Sequence, residues 1–339
     1  MRSLEYHQLL ANEWPQEVVI EEGILSVGDR LVIGGEPKSG KSVLVGQLIR
    51  GLCMGTDFLG FRVPRPRKVL YIQAELREGR LKTRYQPWQR WAETHEVTFP
   101  EGMFYIWSTN GALYLTGWNE HHEEKVRDEH PLDKLYKEID EIKPEVIVFD
   151  PLTSFHEANE NSSQEIKELC EIVDKIKEYN NAAVVIVHHF RKGNLTDVQA
   201  KIPLVDRIRG SGVIPAWADS IIAIYGNQNS KDTKFLEFVL RDSDAGPQRT
   251  LHYNYETRQF DWKDPRLEIV QWVIEYFQTR REVATTDFVS ALLTAFADKF
   301  KGNFSLATQA KTELVQKAVL VERADARFRY LSLGTGRGI

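Results

Sequence analysis

Cysteine is scarce in this chain of 339 residues: there are two, Cys53 and Cys170. They lie far apart in helix-like segments, without metal-ligand spacing. That excludes a disulfide framework and a cysteine-built zinc site, and suits free thiols in a reducing cytoplasm. Long apolar runs are missing too. No stretch reaches the roughly 18 apolar residues of a membrane span, and the opening Met1-Arg2-Ser3-Leu4-Glu5-Tyr6-His7 lacks the basic-then-apolar order of a signal peptide. A soluble, cytoplasmic protein with no membrane partner is the expectation. Internal repeats and low-complexity tracts are absent. A formal net charge of −5 argues against a protein that coats nucleic acid with its whole surface.

What is present supports a packed core. Hydrophobic residues make up 42% and charged residues 27%, which argues against wholesale disorder. The length fits two domains of about 150 residues, or one large α/β domain with an appendage. Charge is uneven: from Lys299 to Ile339 eight lysines or arginines stand against three acids. A basic tail on an acidic body suits a localised anionic partner or a solvated helix face.

The most informative stretch is Gly35-Glu36-Pro37-Lys38-Ser39-Gly40-Lys41-Ser42, which fits the phosphate-loop pattern at every position. The apolar run Leu31-Val32-Ile33 precedes it, and a helix-like run from Val43 to Ile49 follows. Gly35 and Gly40 let the backbone curl so that several N–H groups point into one concavity, and the following helix aims its positive end there. Such a nest binds polyphosphate. Pro37, Lys38, Ser39 and Val43 complete the expected nucleotide contacts. Lys41 would reach the outer phosphates of ATP, and the Ser42 hydroxyl would ligate Mg²⁺.

Hydrolysis also needs an acid near the metal, a group to orient water, and positive charge for what develops on the γ-phosphate. Asp150 ends the apolar strand Val146-Ile147-Val148-Phe149 and is placed to hold Mg²⁺. Glu75 follows the strand Lys68 to Gln73 and can polarise water. His189, or His188, ends a third strand as a candidate sensor of the γ-phosphate; one of them can equally be a capping histidine. In a doubly wound sheet such strand ends converge on the ligand crevice. His121, His122 and His130 sit among acids in an unperiodic stretch, read as a solvated loop with metal binding as the alternative.

Alternating strands and helices up to Val187 predict a mainly parallel sheet. Ser220 to Tyr225, Lys234 to Leu240 and Thr250 to Tyr255 predict antiparallel additions at one edge. From Asp264-Pro265 the texture changes. One helical face carries Ile269, Trp272, Val273, Tyr276 and Phe277; Thr286-Asp287 and Ser305 are candidate caps of two further helices; and a hairpin spans Val319 to Leu333. The expected division is residues 1–262 as an ATPase domain and 263–339 as a small winged helix-turn-helix.

Gly35 to Ser42, Ala74-Glu75, Val146 to Asp150 with Pro151-Leu152 and Phe155-His156, His188-His189 with Lys192, and Arg209-Gly210-Ser211 together resemble the plasmid RepA-type members of the RecA-like ATPases. These are ring-forming ATPases related to replicative DNA helicases. The resemblance spans roughly residues 15 to 262 and implies an α/β RecA-like fold. It implies Lys41 and Ser42 on phosphate and metal, Asp150 as the Walker B acid, Glu75 as catalytic base and His189 as sensor. It also implies Arg209, with Arg207 a close second, as an arginine finger reaching the next subunit, hence a homo-oligomeric ring, a hexamer. The loop 190–208 would face single-stranded DNA in a central channel; it carries Arg191, Lys192, Lys201 and Arg207 against Asp197 and Asp206. The tail would contact duplex DNA or a protein partner. A RepA-like helicase is the first expectation, an ATP-dependent DNA-binding switch without unwinding the second. A small-molecule kinase with Arg77, Arg80 and Arg84 as its lid is the third.

Overall fold

The computed structural model describes residues 6–11, 16–108, 115, 130–156, 158–190, 212–227, 230–241, 243, 248–262, 265–316, 319–324 and 329–334. The chain divides into two compact units, Met1–Trp262 and Lys263–Ile339.

In the first unit the helix α1 (Tyr6–Ala11) and the small ladder of β1 (Val18–Ile20) and β2 (Leu25–Ser26) precede the strand that feeds the phosphate loop, β3 (Arg30–Gly35). Helix α2 (Lys41–Met54) follows the loop, then β4 (Val69–Gln73), α3 (Glu78–Thr94), β5 (Phe104–Ser108), α4 (Pro131–Ile142) and β6 (Val146–Asp150). Helix α5 (Ser163–Tyr179), β7 (Ala183–His189) and α6 (Val213–Trp217) come next, and β8 (Ser220–Asn227), β9 (Ser230–Leu240), β10 (Arg249–Asn254) and β11 (Gln259–Asp261) close the unit. The strands form one sheet in the order β11-β10-β9-β8-β3-β7-β6-β4-β5. From β8 to β5 the pairing is parallel, and β9, β10 and β11 add antiparallel at one edge. This is the expected RecA-like architecture.

Strands β4, β6 and β7 are apolar almost throughout because both faces of the sheet are covered. On one face α2 packs Leu44, Leu48 and Leu52 against Val69, Val148 and Val185. On the other, α4 and α5 pack Leu135, Ile139, Leu169 and Val173 against Leu70, Ile147 and Val184. Each such fully buried side chain contributes about 1.5–3 kcal/mol. The alternation of strand side chains therefore assigns odd-numbered residues of β4 and β7, and even-numbered residues of β6, to the α2 face.

Local chemistry sets the helix ends. Ser162 caps α5 by accepting the Glu165 N–H at 3.4 Å. His130 caps α4: its Nδ1 accepts the Leu132 N–H at 3.2 Å, ahead of Pro131 at the first helical position. That gives His130 a structural role, whereas His121 and His122 lie outside the described residues. Cys53 and Cys170 are free and buried, and burial pushes the Cys170 thiol up to about 12.

The second unit contains α7 (Pro265–Phe277), β12 (Val283–Ala284), α8 (Thr285–Ala295), α9 (Ala297–Phe300), α10 (Phe304–Gln316), β13 (Leu320–Ala324) and β14 (Arg329–Leu333). Its sheet has the order β12-β14-β13, antiparallel throughout. Val273, Phe277, Phe288, Leu292, Leu320 and Leu331 form its core. Two expected caps are corrected. Helix α8 begins at Thr285, so Thr286 and Asp287 lie in its first turn, with Ala284 at the cap. Helix α10 begins at Phe304, before Ser305, whose N–H is accepted by Asn303 Oδ1 at 2.9 Å; the amide side chain two residues earlier takes the exposed N–H.

Candidate active site

The loop between β3 and α2 is shaped by two glycines. A Cβ on Gly35 would stand 2.5 Å from the Ile224 carbonyl oxygen and 2.7 Å from Ser39 Oγ, so only glycine lets β3, β8 and the loop approach this closely. Gly40 caps α2 at φ 100, a left-handed conformation that costs glycine little. Ser39 N–H closes the loop onto Glu36 O at 3.1 Å, while Pro37 and Lys38 stand exposed. The first N–H groups of α2, at Lys41 and Ser42, have no carbonyl within the helix to bond to.

Lys41 is 7% exposed. Its ammonium donates to Gly35 O at 2.7 Å and Glu36 O at 2.8 Å, the loop's own carbonyls. Gly35 O also accepts the Phe190 N–H at 3.1 Å, which ties the end of β7 to the loop. Burial pushes the Lys41 ammonium below its usual range, opposed by the charges of Asp150, Glu75 and Glu36.

Asp150 ends β6 in register with Gln73 of β4 and is buried on the α2 face. One oxygen accepts the Tyr71 hydroxyl at 2.7 Å. Burial raises the Asp150 carboxyl above its usual range; the Tyr71 bond, Arg84 and Lys41 pull it down and Glu75 pushes it further up. Glu75 itself is exposed just past β4. The turn that carries it is held by Gln73, whose Oε1 accepts the N–H groups of Glu75 at 3.1 Å and Leu76 at 2.7 Å. The Gln73 amide donates to Leu76 O and Ser108 Oγ, both at 2.7 Å.

His188 and His189 pair in register with Gly34 and Gly35. Strand parity sends them to opposite faces: His189, half-buried, shares the α2 face with Asp150, and His188 is buried toward α4 and α5. Lys41, Ser42, Glu75, Asp150 and His189 thus gather at the C-terminal ends of four adjacent parallel strands. Arg207, Arg209 and the stretch 191–208 of the loop expected to face the channel lie outside the described residues.

Three contributors escape a reading of the sequence: Tyr71, Gln73, and the wall that β10 and β11 add. A cavity of about 310 Å³ opens beside Ser42 and Val43, between Arg80, Arg84 and Trp88 of α3 and Tyr253, Arg258 and Gln259 of the β10–β11 hairpin. The sequence predicts the strand Thr250 to Tyr255, which is β10, but neither its partner β11 nor the nearness of the pair to the loop.

The donor set fits Mg²⁺ with a nucleotide. Among the described residues no three histidines, cysteines or carboxylates cluster as a self-sufficient metal site. One hydroxyl, Ser42, and one carboxylate, Asp150, suit a metal that takes its remaining ligands from phosphate and water. The buried Ser39 hydroxyl, which lacks a partner among the described residues, lies within the loop.

The AAA domain family profile matches residues 2–195. The chain belongs to this AAA domain family, and with it to the P-loop ATPases. No curated protein matches it in sequence. Among solved structures it is similar to a KaiC-like protein from the archaeon Pyrococcus horikoshii, at 13% identity and a TM-score of 0.47, over 73% of this chain and 94% of that one.

Proposed function

We propose that the chain is an ATP-hydrolysing ring motor that acts on nucleic acid, most concretely a RepA-like DNA helicase. The observation that carries the hydrolytic part is the gathering of Lys41, Ser42, Glu75, Asp150 and His189 on one face of the sheet at the phosphate loop. In this reading the loop N–H groups and Lys41 hold the outer phosphates of ATP, and Ser42 and Asp150 hold Mg²⁺. The metal, when bound, offsets charge on the phosphate oxygens. Glu75 takes a proton from water as its oxygen attacks the γ-phosphorus, and the bond to the β–γ bridging oxygen breaks to leave ADP and phosphate. His189 senses the γ-phosphate.

The motor part rests on the resemblance of the motif succession. Arg209 acts as a finger across a head-to-tail interface of a hexamer, and the loop 190–208 faces single-stranded DNA in the channel. The helix, strand, two main helices and hairpin of the second unit, with the sheet order β12-β14-β13, support a winged helix-turn-helix. That unit would bind duplex DNA or a protein partner. The presence of such a unit also favours a second reading, an ATP-dependent DNA-binding switch that does not unwind. No described helix is long and apolar enough to cross a membrane.

Hydrolysis measured with and without single-stranded DNA, followed by strand displacement on a forked duplex, tests the proposal. The motor reading expects stimulation and displacement. Stimulation without displacement selects the switch, and a rate indifferent to DNA contradicts both.

A further inference from the structure

The cavity beside Ser42 has a one-sided polarity. Arg80, Arg84 and Arg258 line it and no acid does, although the Arg84 charge also acts on the Asp150 carboxyl. Beneath it the buried Arg50 lies 3.8 Å from the Trp91 ring centroid and donates to Gln259 Oε1, again with no acid. The Gln259 Nε2 on its wall is buried and has no acceptor among the described residues.

The amide acceptors on that wall and the Leu76 carbonyl are already engaged. Gln47 Oε1 takes the Phe260 N–H at 3.1 Å, and Gln259 Oε1 takes Arg50. Leu76 O receives both Gln73 Nε2 at 2.7 Å and the Ser108 hydroxyl at 2.9 Å. What remains for a ligand is guanidinium and amide N–H, with hydroxyl oxygens as the side-chain acceptors.

Such a wall suits a base that presents acceptors. The N7/O6 edge of guanine offers two acceptors, whereas the N7/N6 edge of adenine offers one acceptor and an amine that itself seeks an acceptor. A buried donor left unpaired carries a penalty, so a wall whose charged groups are all donors and whose side-chain acceptors are hydroxyls favours a base edge that presents acceptors over the adenine amine.

We infer that this cavity holds the base of the nucleotide and reads acceptor atoms, so that the site binds guanine and hypoxanthine nucleotides at least as well as adenine ones. The inference rests on the phosphate loop holding the triphosphate of the same molecule. It makes Arg258 and Gln259, which are remote in sequence from that loop, the residues that set base selectivity.

The test is equilibrium binding of MgATP, MgGTP and MgITP to the full chain, by competition with a fluorescent nucleotide, with hydrolysis of each measured in parallel. The expected dissociation constants for GTP and ITP lie within threefold of that for ATP or below it. Arg258→Ala, a change at an exposed hairpin residue, is expected to weaken GTP and ITP at least fivefold and ATP less. ATP bound tenfold more tightly than GTP and ITP overturns the inference and leaves the ATPase reading intact. Arg258→Ala proteins that bind all three as the parent does overturn it as well. Binding of all three with no hydrolysis of any supports the base assignment while removing the hydrolase reading, and binding of none overturns both.

Discussion

The Tyr71 hydroxyl donates to Asp150 Oδ2 at 2.7 Å from the neighbouring strand, with both residues buried. Adjacent register brings them together: Gln73 pairs with Asp150, and Tyr71 lies two residues earlier on the same face. One carboxylate oxygen is committed to the tyrosine, which leaves the other for a metal.

Tyr71→Phe removes that orientation without removing bulk. The expected result is a Mg²⁺ requirement raised by about tenfold, in the range seen when a group behind a metal ligand is lost. Stability should fall by about 1–2 kcal/mol because a buried carboxylate loses its donor. Magnesium titrations of the hydrolysis rate and denaturant unfolding give the two numbers; an unchanged magnesium requirement would remove Tyr71 from the site.

Glu75→Gln separates binding from chemistry. Glu75 is anchored through its backbone N–H to Gln73, so the substitution leaves the turn in place. ATP affinity should be unchanged while kcat falls by about 10²–10⁴-fold, the span of a general base. A kcat within threefold of the parent would assign the base elsewhere.

Arg209→Ala should lower kcat by about 10³-fold or more with nucleotide binding retained, as for an arginine finger. The ring reading adds a sharper expectation. Mixing Arg209→Ala with Lys41→Ala protein should restore activity at about a quarter of the sites, because a sound loop then meets a sound finger from its neighbour. Two inactive proteins that stay inactive when mixed would contradict a shared site.

At the foot of β3, Arg30 binds Asp219 through Nε at 2.8 Å, through its second guanidinium nitrogen at 3.0 Å and through its backbone N–H at 3.0 Å. Burial would raise the Asp219 carboxyl, but these bonds hold it below its usual 3.8. A depressed carboxyl stabilises the fold above its unfolded value and loses that contribution as pH falls through its folded value. Asp219→Asn should therefore cost about 2–3 kcal/mol near pH 7, and the gap to the parent should close in acid, below 3.8. A gap that is constant across pH would show that packing, not charge, is what Asp219 supplies.

Much of the site was legible because its residues announce themselves locally. A glycine-bounded loop, an acid after an apolar run and a histidine pair after another need only the rule that parallel strand ends converge. The choice between His188 and His189 was not legible from composition, because it turns on which face each strand position takes. Tyr71 and Gln73 were hidden for a related reason: they read as core residues until the β4–β6 register is known. The base-side wall was hidden most deeply. It depends on Gln47 clasping the backbone of Phe260 through both its amide atoms, at 2.9 Å and 3.1 Å, across most of the unit's length. The mistaken caps at Ser305 and Thr286 show the opposite hazard, a residue of the right type beside a helix start that a neighbour sets.

The central claim is that the loop holding Lys41 is a hydrolytic site. The Lys41 ammonium rests on Gly35 O and Glu36 O, the loop's own carbonyls. The most direct measurement is Mg²⁺-dependent phosphate release from ATP by the full chain and by Lys41→Ala. The account predicts release that requires Mg²⁺ and falls to background in Lys41→Ala, with the variant still folded by circular dichroism. Phosphate release by Lys41→Ala at the parent's rate would contradict it.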